Sequence, residues 1–84
     1  AATPSPEEGA ERARSQQILQ CVLDELDLER RAVFVMYEID ELPCEQIADM
    51  IGVPVGTVHS RLHAARKEFQ RAAARWQARN GVPR

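Results

Sequence analysis

From Val58 onward the apolar residues fall at Val58, Leu62, Ala65, Phe69, Ala72 and Trp76, in alternating steps of four and three. An α-helix brings such positions onto one continuous seam, and a strand does not. The other faces of that helix hold Arg61, Arg66, Lys67, Arg71, Arg75 and Arg79. The pattern predicts a helix from Val55 to Arg79, ~37 Å long at 1.5 Å per residue. Asn80-Gly81 and Pro83 supply its stop signal. A rod of that length in a chain of 84 residues leaves room for one domain packed against it. A chain this short buries roughly 60–65% of the surface it exposes when unfolded, enough for one modest core and not for a deep catalytic cavity.

The remaining segments also read as helices. Ala, Leu, Arg, Glu and Gln dominate, and β-branched residues form no alternating run. Residues 1–9 are rich in Pro and Gly and read as a flexible leader or linker. Pro6-Glu7-Glu8, though, suits a first helical turn, so a first helix is expected to begin nearby. Ile18, Leu19, Val22, Leu23 and Leu26 continue it at helical spacing. Asp27 is a suitable N-cap for a second helix, Leu28 to Ile39, with Val33, Phe34, Met36 and Tyr37 on one broad face. Asp40-Glu41-Leu42-Pro43 breaks it, and a short third helix follows from Cys44 to Ile51, with Ile47, Ala48, Met50 and Ile51 turned inward. The expected fold is all-α: four helices, the last one long, over residues 10–80, with 81–84 as a tail.

Gly52 and Val53-Pro54 separate the third and fourth helices. Glycine just past a helix end permits a left-handed turn, and small Ala48, four residues earlier, lets the next helix pass close by. Ile47, Ile51, Val53, Val58 and Leu62 are apolar where the two helices would meet, while Gly56, Thr57, His59, Ser60 and Arg61 are small or polar at the start of the second. This is the layout of a helix-turn-helix whose second helix enters the major groove. A start of small residues lets the backbone approach DNA, and the helix N-terminus favours phosphate. An ordinary helical hairpin with the same small residues is the plainer alternative.

Charge points the same way. Residues 1–58 carry a net charge of −8 and residues 59–84 a net charge of +6. Such a split suggests a polyanionic partner for the basic end, against the alternative of a solvated helix face. Cys21 and Cys44 form no CxxC pair and read as buried or half-buried thiols in a reducing compartment. No run approaches the ~18 apolar residues of a membrane span, so the chain is expected to be soluble and cytoplasmic. It lacks an initiator Met and is expected to be one piece of a longer protein. His59 and His63 stand at a metal-ligand spacing, but no third ligand is placed near them, and no catalytic set is visible. No enzyme activity, metal or cofactor is expected.

Four stretches resemble region 4 of the extracytoplasmic-function sigma factors of bacterial RNA polymerase: Leu28 to Phe34, Glu45 to Ala48, Ile51 to Val58 and Ser60 to Arg66. The last two carry most of the specificity. The resemblance covers roughly residues 18–76. It implies a four-helix domain that reads the −35 promoter element as a monomer and docks on the β-subunit flap of the polymerase core. It also implies an anti-sigma factor as a further partner. The family's base- and phosphate-facing positions fall on Tyr37, Thr57, His59, Ser60, Arg61, His63, Ala64, Arg66 and Lys67. Tyr37, His59 and Ala64 stand where the family often has a basic residue, which predicts weak DNA binding with a flattened salt dependence. Glu41 stands where Gly is common, and Pro43 where a Ser would cap the third helix.

Roles follow from side-chain chemistry. Arg61 can grip a guanine edge or a phosphate. Ser60 and His63 can reach base edges, and Thr57 can cap its helix or contact phosphate. Arg66, Lys67 and Arg71 extend the basic face. Arg30 and Arg31 either touch the DNA backbone or pair with Glu29 and Asp27. Two other readings remain open: a protein-interaction module of the same fold, held by an anti-sigma factor or polymerase, and a response-regulator-type DNA-binding domain.

Overall fold

The computed structural model describes residues 5–81. Residues 1–4 of the expected leader, residues 82–84 of the expected tail and the Pro83 stop signal lie outside them. The described residues form four helices and no strand. They are α1 (Pro6–Leu23), α2 (Leu28–Phe34), α3 (Cys44–Ile51) and α4 (Val55–Asn80), with a π-helical turn (Val35–Ile39) continuing α2.

Local chemistry explains most of the boundaries. Ser5 accepts a hydrogen bond from the Glu8 N–H at 3.2 Å, and Pro6, Glu7 and Glu8 fill the first turn of α1. Residues 6–9 are therefore helical. Asp27 precedes α2, but its side chain makes no capping bond; its carbonyl accepts from Arg31 N–H at 2.8 Å. α3 and α4 open at Pro43 and Pro54, again without a side-chain cap. Thr57 thus lies inside α4 and does not cap it. α3 ends on Gly52 at φ 73°, ψ 37°, a left-handed conformation that costs glycine nothing.

The second helix departs from the expected regular form. Asp40 N–H reaches back five residues to the Val35 carbonyl at 3.0 Å, and Leu42 N–H reaches the Met36 carbonyl at 3.0 Å. Such widened turns insert an extra residue and reset the direction of side chains. The segment leaves through Glu41, which is left-handed at φ 58°.

The seam of α4 organises the core. Val58, Leu62, Ala65 and Ala72 are buried along it, with Phe69 and Trp76 half-buried. Val22, Leu23 and Leu26 meet it from the α1 end, Val33 and Phe34 from α2, and Ile47 and Ala48 from α3. Phe34 stacks on Phe69 with ring centroids 4.9 Å apart. Two inward expectations fail. Met50 is 58% exposed, because the eight-residue α3 turns only Ile47 and Ala48 fully inward. Cys21 is exposed on α1 and only Cys44 is half-buried; both are free thiols.

Candidate nucleic-acid interface

α3, the Gly52 turn and the first half of α4 form the helix-turn-helix. Gly52 N–H and Val53 N–H both donate to the Ala48 carbonyl, at 2.9 and 3.1 Å. This pins the turn directly beneath the start of α4. Val58, fully buried, then locks α4 against the core. With Val58 inward, the helical period turns Gly56, Ser60, His63 and Lys67 to the opposite side, with His59 beside them. Gly56, His59, Ser60, His63 and Lys67 are all exposed, and Thr57 is half-buried. None of His59, Ser60, His63 and Lys67 has a side-chain partner among the described residues.

The arginines behave differently. Arg61 lies at the flank of this stripe, half-buried, with a guanidinium nitrogen 3.4 Å from Glu29 of α2. Arg66 lies on the other flank. Its Nε and Nη2 donate to one oxygen of Glu38, at 3.0 and 2.9 Å, and its guanidinium sits 5.5 Å from the ring centroid of Tyr37. The hydrogen bonds to Glu38 hold the Arg66 guanidinium above its ordinary pKa. The π turn sets this contact, since it carries both Tyr37 and Glu38.

Arg30 and Arg31 do not pair with Glu29 and Asp27. Arg30 donates to Glu68 of α4 at 2.7 Å, which raises its pKa. Arg31 donates to Asp24 at 3.2 Å and lines a cleft with Leu19, Leu23, Val35 and Ile39. Consecutive α2 residues point about 100° apart, so Arg30 reaches α4 while Arg31 is left in the α1–α2 cleft. Arg31 is therefore not brought to the α4 stripe.

The carboxylates Glu38, Glu68 and Asp24 escaped the reading of the sequence, and Glu29 pairs with Arg61 and not with Arg30 or Arg31. Most of these partners stand 28 or more residues apart, and no local spacing announces them. Among the described residues no three His, Cys, Asp or Glu side chains gather as a metal site. No helix there is long and apolar enough to cross a membrane.

Two helices joined by a left-handed glycine, with the outward face of the second left open, define a helix-turn-helix domain. Residues 16–69 match the family described as Sigma-70, region 4, and the chain belongs to that family. It is 39% identical over 67 residues to the ECF RNA polymerase sigma factor SigE of Mycolicibacterium smegmatis. That alignment takes in 80% of this chain and 26% of the relative, so the chain spans about a quarter of that protein's length.

Proposed function

We propose that this domain reads the −35 promoter element in the major groove, as region 4 of a sigma factor, and so takes part in transcription initiation. The observation that carries this reading is the outward stripe of α4. Ser60, His63 and Lys67, flanked by His59, project from the helix-turn-helix with no side-chain partner among the described residues. Family membership and the relative's name support the same reading. Its partners are then double-stranded promoter DNA and, through the remaining surface, the RNA polymerase core at its β flap. An anti-sigma factor is a further proposed partner. The domain acts as a monomer in the cytoplasm, by binding and without catalysis.

Ser60 and His63 face base edges, while Lys67 and, beside the stripe, Thr57 face phosphates. Arg61 and Arg66 contact DNA by exchanging Glu29 and Glu38 for phosphate or a guanine edge. Exposed ion pairs are worth about 0–1 kcal/mol, so such an exchange costs little. Tyr37 and Arg30 lie at the margin.

Selection of duplexes from a random pool by the 84-residue chain at low salt tests the reading. One short motif is expected to be enriched. Arg61→Ala is expected to relax the preference at a single position, by about 1–3 kcal/mol for a lost bidentate base contact, and Ser60→Ala, which loses a single hydroxyl, by less. Binding without any preference, indifferent to both substitutions, would remove groove reading by α4.

A further inference from the structure

We propose that DNA binding by this domain is coupled to proton uptake at His59 and His63, so that affinity rises as pH falls through the neutral range. The inference rests on the reading of α4 as the DNA-facing helix.

Both imidazoles are exposed, four residues apart on the outward side of α4, beside Ser60 and Lys67. A neutral imidazole presents one donor and one acceptor; the protonated ring presents two donors and a positive charge. Phosphates approaching this stripe meet that choice directly, and a nearby anion favours the charged form. The free imidazole ordinarily titrates near 6.5, within reach of cellular pH. A Lys or Arg at the same position would be charged in both states and would give no pH response.

Charged groups lie on each element around α4. On α2, Glu29 is held by Arg61 and Arg30 is held by Glu68. On the π turn, Glu38 is held by Arg66. Asp40 and Glu41 follow it, and α3 contributes Glu45 and Asp49. On α4 itself Arg61, Arg66 and Lys67 are neighbours. α1 meets α4 as well, and Glu25, which follows α1, is held by Arg75 and Arg79 near the far end of α4. Among the described residues, no carboxylate oxygen lies within 4.0 Å of either imidazole. The free domain therefore offers neither histidine a proton-stabilising ion pair, and DNA supplies the first.

The test is fluorescence anisotropy of a labelled mixed-sequence duplex of about 20 base pairs, titrated with the 84-residue chain. Salt series are run from about pH 8 to about pH 6, across the ordinary imidazole range. The parent is expected to bind at least about fivefold more tightly at the acid end, with a steeper salt slope. His59→Gln with His63→Gln, both at exposed sites, is expected to abolish the pH response while keeping measurable binding. His59→Arg with His63→Arg is expected to bind near pH 8 as the parent binds near pH 6. Parent binding that is independent of pH, or a pH response that survives in the glutamine variant, overturns the proton coupling and leaves DNA binding intact. No binding by the parent or the arginine variant at any pH overturns the DNA-facing reading itself, and the coupling with it.

Discussion

Both halves of α4 carry basic residues, yet they place that charge differently. Beyond Phe69, Arg75 and Arg79 both close on Glu25 in the loop after α1, at 3.3 and 3.0 Å, and Trp76 lies half-buried near them. Those two pairs make a strut between the far end of α4 and the loop after α1, while Arg71, in the same half, is exposed with no partner among the described residues. Up to Lys67, the arginines are drawn sideways to Glu29 and Glu38, and the outward stripe of His59, Ser60, His63 and Lys67 stays open. The difference teaches that charge counted along a chain overstates the charge a polyanion meets. Much of the +6 carried by residues 59–84 is answered by carboxylates from the acidic first half of the chain.

Both halves of α4 ride on one seam. Leu62, 4% exposed, sits on that seam among core residues from the other helices. Leu62→Ala is expected to cost about 2–5 kcal/mol of a total near 5–15 kcal/mol, read from urea unfolding. Amide exchange should accelerate in both halves of α4 together. Acceleration confined to residues 55–67 would mean that the halves open independently, and the contrast between them would then concern two units instead of one helix.

DNA titration sharpens the contrast more directly. Lys67→Ala is expected to weaken binding to all duplexes alike and to lower the salt slope by about 0.9, the loss of one phosphate contact. Arg75→Ala, at the strut, is expected to leave both affinity and slope unchanged. Equal losses in the two variants would place the DNA surface along the whole helix and erase the distinction.

What the sequence reveals of this arrangement depends on how far apart the cause and its effect lie. The α4 seam, the Gly52 turn and the starts of all four helices are legible because each rests on residues within a few positions of one another. The stripe was legible for the same reason: once Val58 is inward, Ser60, His63 and Lys67 must be outward. The ion pairs were not, since Arg66 meets Glu38 from 28 residues away and Arg79 meets Glu25 from 54. Nor was the π turn, whose composition is that of an ordinary helix end. Glu41 is an intermediate case. Its left-handed backbone costs a non-glycine residue roughly 1–2 kcal/mol, and the resemblance marks it as a common glycine position. Nothing in its neighbours announces the conformation. Arg31, adjacent to Arg30 in sequence, lines the cleft with Leu19, Leu23, Val35 and Ile39 while Arg30 reaches Glu68.

The smallest expected effect concerns the strut alone. The Glu25 carboxyl is held below its ordinary value of 4.5, most strongly by the hydrogen bond from Arg79, against some desolvation and with further help from Arg75. A depressed folded value means that the unfolded chain binds the proton more readily. The stabilisation is therefore fully present above the unfolded value and is lost as pH falls through the folded one. Thermal melts of the parent and Glu25→Gln should differ by a small, constant Tm offset from about pH 8 to about pH 6. The offset should shrink below about pH 4.5 and vanish once the folded carboxyl is protonated. At neutral pH the same variant frees Arg75 and Arg79 without touching the stripe. Unchanged DNA affinity would leave those arginines structural. A gain in affinity would show that Glu25 had been keeping them from DNA, and the strut would then be a reserve of the same basic surface.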